Sequence, residues 1–309
     1  MSEQTVMNGV AALGDWGVIR AVGPEAATFL HGQLTNDTEH LAVGAACLAG
    51  YCSPKGRLLA SFIVWRAAKE ELLLACHASV LPATLKRLSM FVLRAKCKLS
   101  DASAELPLCG AAGATAQGLL VDAPVWSART ADDRTVIRLP DAEGVPRALV
   151  AGAAPAGEPL SLDSWRWLEV RSGIAVIEAA TTDQFVPQML NFEIVGGVNF
   201  KKGCYPGQEI VARAQYRGTV KRRALLFDTE GDALAGQEIF HSGDAAQPAG
   251  RVANAAPNLR GGASVLAEVK LAALPAGSLH LGAPDGPVLT RQALPYALPL
   301  EPDEPAAGS

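Results

Sequence analysis

Short apolar runs in the first hundred positions alternate with polar ones, and twice the period lengthens from two to nearly four. Asp15 to Val22 alternates as a strand, which Gly23-Pro24 breaks. Within Pro24 to Leu34 the residues Ala26, Ala27, Phe29, Leu30 and Leu34 fall at near-helical spacing, and Thr35-Asn36-Asp37 follows as a polar corner suited to side-chain-to-backbone turns. Cys47 to Tyr51 and Arg57 to Trp65 read as paired strands about the turn Ser53-Pro54-Lys55-Gly56, and Leu72 to Cys76 adds a third. Leu81, Leu85, Leu88 and Val92 form the stripe of a second helix, and Lys96 to Asp101 returns as a strand. The order β-α-β-β-β-α-β predicts an α+β fold with mixed, largely antiparallel sheets.

The signal weakens over 110–164, where Thr135 to Leu139 and Arg147 to Ala151 are strand-like and a second α/β layer is expected. Ser164 to Val176 reads as a helix or a helix-to-strand passage. After Arg223 short apolar runs separated by Gly, Pro, Asp and Asn predict a small C-terminal antiparallel β-barrel. The expected organisation is therefore 1–223 as two intertwined subdomains with a break near 105–163, then 224–298 as the barrel, then a disordered tail over 299–309.

The chemistry concentrates between Asn199 and Arg223, N-F-K-K-G-C-Y-P-G-Q-E-I-V-A-R-A-Q-Y-R-G-T-V-K-R-R. Pro206 and Gly207 suit a type II turn from Tyr205 to Gln208, because Pro presets φ and Gly accepts a positive one. Gln208 to Tyr216 then reads as a short helix with Glu209 and Arg213 four apart as an ion pair. Lys201, Lys202 and the positive end of that helix favour a thiolate at Cys204, a candidate for nucleophilic or metal-ligating use. Arg213, Arg217 and Lys221 extend a cationic ridge.

Composition narrows the function classes. With 309 residues, 49% hydrophobic and 19% charged, the chain is globular. A net charge of −4 gives no global field for nucleic acid, so a plain RNA-binding module would rest on the ridge alone, and no direct nucleic-acid binding is expected. The six cysteines include no C-x-x-C pair, which indicates no self-contained zinc or iron–sulfur site and suits a reducing compartment. No apolar segment reaches the ~20 residues of a membrane helix, so a cytoplasmic protein is expected.

Lys202 to Glu209, K-G-C-Y-P-G-Q-E, resembles the signature K-G-C-Y-x-G-Q-E of the YgfZ family of folate-binding proteins, relatives of the glycine-cleavage T-protein. Phe29 to Asp37 (F-L-H-G-Q-L-T-N-D) and Leu294 to Leu298 (L-P-Y-A-L) extend the resemblance over nearly the whole chain. The resemblance implies T-protein-like folate-binding domains and tetrahydrofolate or a derivative as cofactor. It further implies a role in iron–sulfur cluster assembly or repair, hence indirectly in tRNA modification, with iron–sulfur proteins or assembly factors as partners.

Under that reading Trp16 and Trp165 match tryptophans expected against the pterin, and Asn36, Asp37, Lys55, Tyr205, Gln208, Glu209 and Arg213 are further binding candidates. Lys55, Arg57 or the Arg213 ridge would meet the glutamate tail. Cys204 and Lys202 are the catalytic candidates, near the bound carrier, with Cys204 also able to hold iron or sulfur in trans. Where the family reads R-x-E-A-G-I-P, this chain has Glu169 at the arginine position, Arg171 at the glutamate position and Ala175 at the proline, so Glu169 would have to grip the pterin from two residues away. The alternative is a T-protein-like folate-dependent aminomethyltransferase. T-proteins read G-G-x-L-D-D where this chain has Gly56 to Ser61, G-R-L-L-A-S, without carboxylates, so a nearby acid such as Asp37 would have to substitute.

Overall fold

The computed structural model describes residues 7–131, 133–216 and 220–299. Arg217 of the expected ridge and the tail from 300 onwards lie outside them.

The chain opens with β1 (Gly9–Ala12), β2 (Trp16–Val22) and the short helix α1 (Ala26–His31). The hairpin follows as β3 (Ala46–Cys52) and β4 (Leu58–Ala68), then β5 (Glu71–His77), α2 (Leu81–Val92) and β6 (Lys98–Asp101). Strands β2 to β6 form one antiparallel sheet in the order β3-β4-β5-β2-β6. The hairpin turn is closed by Gly56 N–H to the Ser53 carbonyl at 2.8 Å, with Gly56 at φ +70°. One face of this sheet buries Ile19, Phe62, Val64 and Leu74 under α1 and α2.

The weakly patterned stretch forms β7 (Leu108–Ala112), α3 (Gly113–Leu120), β8 (Ala128–Ala131), β9 (Arg134–Ala142) and β10 (Val145–Gly152). Its sheet runs β1-β7-β10-β9-β8, so the first strand of the chain joins the second sheet, not the first. Glu143 and Gly144 both take positive φ between β9 and β10, as a two-residue hairpin turn requires.

Helix α4 (Leu162–Arg171) is capped by Ser161, whose hydroxyl accepts the Ser164 N–H at 3.0 Å. After a 3-10 turn at Pro187–Leu190 comes α5 (Gln208–Tyr216). The rest of the chain gives β11 (Arg222–Thr229), β12 (Glu238–His241), β13 (Asp244–Pro257), β14 (Ala263–Lys270), β15 (Leu279–Leu281) and β16 (Thr290–Gln292).

These last six strands pair in the order β15-β12-β13-β14-β11-β16. The expected closed barrel is corrected here: β15 and β16 are the two edges and do not pair with each other, leaving a curved half-barrel. Each is only three residues long. The sheet packs on α4 and on residues 174–198 through Val170, Ile177, Phe192, Leu226 and Leu266.

Candidate functional site

Two places in this fold gather chemistry, a cleft where the three sheets converge on α4 and the exposed loop that carries Cys204.

The cleft owes its shape to α4. Trp165 and Glu169 are four residues apart and so share one helical face, turned inward. Trp165 is fully enclosed, its ring lying so close to Gly110 that a side-chain carbon there would stand 2.4 Å from it. The Arg147 guanidinium stacks over the same ring at 5.6 Å, and its Nε donates to the Pro140 carbonyl at 3.0 Å. Burial brings Arg147 down to about 10, opposed by the nearby carboxyls of Glu169 and Asp141. Glu169 is half-buried and borders the cleft. Burial pushes that carboxyl up to about 8, while Arg147 pulls the other way. The Trp165 indole N–H approaches it without completing a hydrogen bond.

Around Glu169 the cleft has two chambers that share Trp16, Ile174 and Val176. The inner slot, about 40 Å³, is walled by Trp126, Leu48, Phe62 and Pro140. The outer chamber, about 650 Å³, adds Asp15, His77, Arg166 and Asn254, with Asp163, Glu178 and Asp232 also along it. The outer chamber has room for a ring-sized ligand beside Trp16 and Glu169.

Trp126 enters the slot from a left-handed backbone, φ +65°, a conformation costing a bulky residue about 1–3 kcal/mol. Hydrogen bonds on both sides hold it there, its N–H to Arg138 at 2.9 Å and its carbonyl to Ala46 at 2.7 Å. Arg166 donates twice to Asp15 Oδ2, at 2.8 and 2.9 Å, and leaves Oδ1 of that carboxylate without a partner.

The structure thus brings together Trp16 and Glu169 among the expected binding residues. Trp165 stands behind them and positions Arg147. Arg171, on the opposite side of α4, pairs with Glu143 at 2.6 Å and Asp228 at 3.4 Å, so the carboxylate that reaches the cleft is Glu169. Trp126, Arg147 and Arg166 are additional lining residues that the sequence reading did not single out.

Asn36, Asp37, Lys55, Arg57, Tyr205, Gln208, Glu209, Arg213 and Cys204 do not line this cleft. Asn36 donates to the carbonyls of Leu48, at 2.7 Å, and Gly196, at 2.8 Å, and ties the α1 corner to β3. Arg57 donates to the Gln184 carbonyl at 2.7 Å, Lys55 sits on the exposed hairpin turn, and Arg213 is exposed on α5. Helix α5 forms, but Glu209 and Arg213 make no ion pair with each other.

The thiol loop is anchored by its neighbours. The type II turn is present, with Gln208 N–H to the Tyr205 carbonyl at 3.2 Å and Gly207 at φ +79°. Gly207 packs backbone to backbone on the β3–β4 turn; an added side-chain carbon would lie 2.4 Å from the Ser53 carbonyl oxygen. Tyr205 is buried beneath it, with the Lys202 ammonium 4.7 Å from its ring centre.

Lys202 turns away from solvent. Its Nζ donates to the carbonyls of His31, at 2.5 Å, and Leu34, at 2.8 Å, satisfying the end of α1. Burial brings it down to about 8, opposed by the negative charge of Asp37 and of Cys204. Lys202 is thus the tie that fixes the loop to α1.

Cys204 is exposed. The other five thiols are buried or half-buried, and burial pushes Cys47, Cys52 and Cys76 up to about 12 and Cys97 and Cys109 up to about 11. Among the described residues no three His, Cys, Asp or Glu side chains gather as a metal site. Nor is any helix among them long and apolar enough to cross a membrane.

No family model matches the chain. It is, however, 32% identical over 307 residues to the tRNA-modifying protein YgfZ of Edwardsiella ictaluri, covering 92% of this chain and 91% of that protein. The chain belongs to the YgfZ family. A second YgfZ protein, of Photorhabdus laumondii, is 33% identical over 72% of this chain and 71% of its own length. The fold is that of the glycine-cleavage aminomethyltransferase T, to which the Bartonella henselae structure is similar with a TM-score of 0.74 over 95% of this chain and 87% of that one, at 17% identity. On β4 this chain has Ala60 and Ser61 where the T-protein pattern G-G-x-L-D-D has its two carboxylates. Ser61 is buried, accepting the Ile177 N–H at 2.9 Å.

Proposed function

We propose that the protein binds tetrahydrofolate or a derivative in the cleft and uses Cys204 in the assembly or repair of iron–sulfur clusters in the cytoplasm. Its effect on tRNA would then be indirect, through the iron–sulfur enzymes that modify it, in keeping with the name its relatives carry. The observation that carries the folate reading is the half-buried Glu169 carboxyl, which lines the cleft together with the half-buried Trp16. A pterin offers adjacent N–H donors along one edge and a flat face. A carboxylate answers the first with two charge-assisted bonds and an indole answers the second. Arg166, the guanidinium that lines the outer chamber, meets the tail carboxylate. Cys204, apart from the cleft, exchanges sulfur or iron with partner proteins as a ligand in trans.

An aminomethyl transfer is the weaker reading. Asp37, its substitute acid, is engaged by His31 and His40 and does not line the cleft.

Calorimetric titration with tetrahydrofolate at pH 7, in two buffers of different ionisation enthalpy, tests the folate half. The carboxyl at about 8 is mostly protonated before binding and ionised after it, so close to one proton is released per ligand. In cells lacking the family member, restoration of iron–sulfur enzyme activity by the wild type but not by Cys204→Ala tests the other half. Full restoration by Cys204→Ala would remove the thiol from the account.

A further inference from the structure

Strand β10 carries a charge on its core face. Arg147, Leu149 and Ala151 alternate onto one side of the strand, and where Leu149 and Ala151 join the core around Trp165, position 147 supplies a guanidinium that is only 3% exposed. Its stem is fixed at two points, the stack over Trp165 and the bond from Nε to the Pro140 carbonyl at 3.0 Å. Among the described residues its two terminal nitrogens have no hydrogen-bond partner, and no carboxylate forms an ion pair with them. Such a group is costly to keep in place, because the desolvation of a buried charge is offset only by close partners.

Arg147 nevertheless lines the inner slot, together with Glu169. With Nε engaged, what it brings there is the terminal pair of N–H donors. Each of the two charges acts on the other's protonation, yet they form no ion pair, so a gap separates them. The slot's two hydroxyls are already engaged: Ser61 accepts the Ile177 N–H at 2.9 Å, and Ser172 donates to the Glu169 backbone carbonyl at 2.6 Å. Among the described residues the guanidinium and the carboxyl are thus the side-chain groups of the slot left to meet a ligand, between apolar walls such as Trp126, Phe62 and Leu139.

We infer that Arg147 is a specificity-determining residue of the cleft, donating to a carbonyl oxygen on the ligand edge whose neighbouring N–H groups meet Glu169. The inference deepens the folate reading and rests on it for the identity of the ring. The edge called for is two donors followed by an acceptor, which is the 2-amino, N3–H and 4-oxo series of a pterin and equally the 2-amino, N1–H and 6-oxo series of guanine. An ionised carboxylate only accepts and a guanidinium only donates, so neither residue can take the other's part. A ring with an amino group in place of the 4-oxo group would set N–H donors against a buried cation and leave both unanswered.

The test is calorimetric titration of full-length protein with tetrahydrofolate, with its 4-amino-4-deoxy analogue and with guanosine. The wild type should bind the 4-oxo folate at least about tenfold more tightly than the 4-amino one. In Arg147→Met, which keeps a long apolar stem against Trp165, tetrahydrofolate weakens by about tenfold while the 4-amino analogue holds within about threefold, so the preference disappears. Arg147→Lys keeps the cation but lacks the forked donors, and its preference falls too; it decides in place of the methionine variant if that protein does not fold. A purely structural role for Arg147 would weaken both folates alike. An unchanged ratio in either variant, or equal affinity of the wild type for the two folates, would overturn the inference while leaving the folate site standing. Wild-type protein that binds guanosine but not tetrahydrofolate would sink the folate reading and keep Arg147, whose methionine variant then loses guanosine by about the same tenfold. Binding of none of the three would sink both.

Discussion

Glu169 is the residue on which the cleft turns. Its carboxyl, pushed up to about 8, makes two consequences measurable. A ligand whose donors need the carboxylate binds more tightly as pH rises, by up to tenfold per unit below that value and no further above it. Replacement by Gln leaves one acceptor oxygen and adds a donor, so tetrahydrofolate affinity falls at pH 8.5 by about tenfold or more and its pH dependence disappears. Stability follows the same linkage with a defined sign. The folded carboxyl binds its proton more tightly than the unfolded one, so this contribution is fully present below about pH 4.5 and is lost as pH rises through about 8. Urea midpoints of wild type and Glu169→Gln measured across that window should converge at the acid end and separate at the alkaline end.

At the scale of elements, the turn that follows Cys204 and the β3–β4 hairpin turn depend on each other. Gly207 and Gly56 both take positive φ, and neither has room for a side chain against the other's segment. Gly207→Ala therefore meets backbone strain and a backbone clash at once, and should destabilise by about 2 kcal/mol or more in urea unfolding. The type II turn, α5 and the hairpin were legible in the sequence because Pro-Gly and Ser-Pro-Lys-Gly chemistry is local. Trp126 and Arg147 were not legible, since Trp126 reaches the slot through its bond to Ala46 and Arg147 through the pairing of β10 with β7, both partners distant in sequence. Glu169 carried a readable signal beyond the family pattern. A glutamate four residues after a tryptophan shares its helical face, so Glu169 points the way Trp165 does and stops half-buried at the cleft, while the full burial of Trp165 takes it out of the set of ligand contacts. Closure of the C-terminal sheet had no local signature at all, because strand spacing is the same in a barrel and in the half-barrel seen here.

For the whole molecule, α4 is the joint between three sheets, and its two sides do different work. Arg171 fastens the helix to the β9–β10 turn through Glu143 and to β11 through Asp228, while Glu169 faces the cleft. Arg171→Ala should cost about 1–2 kcal/mol of stability, the Glu143 end of the network being partly exposed. It should leave tetrahydrofolate affinity within about twofold, the spread expected when no ligand contact is lost. A large loss of affinity would instead put the anchor at position 171, where the family pattern has its glutamate. The outer chamber also bears on the form of the ligand. Asp163, Glu178 and Asp232 line it, so added glutamates on the folate tail should gain no affinity over the monoglutamate, a comparison best made at low ionic strength.

The most direct test of the cleft as a folate site is tryptophan fluorescence during titration with tetrahydrofolate, run in parallel on wild type, Glu169→Gln and Cys204→Ala. The account predicts saturable quenching with the same affinity in wild type and Cys204→Ala, and at least about tenfold weaker binding in Glu169→Gln. Absence of saturable quenching in the wild type, or equal affinity in all three proteins, would contradict it.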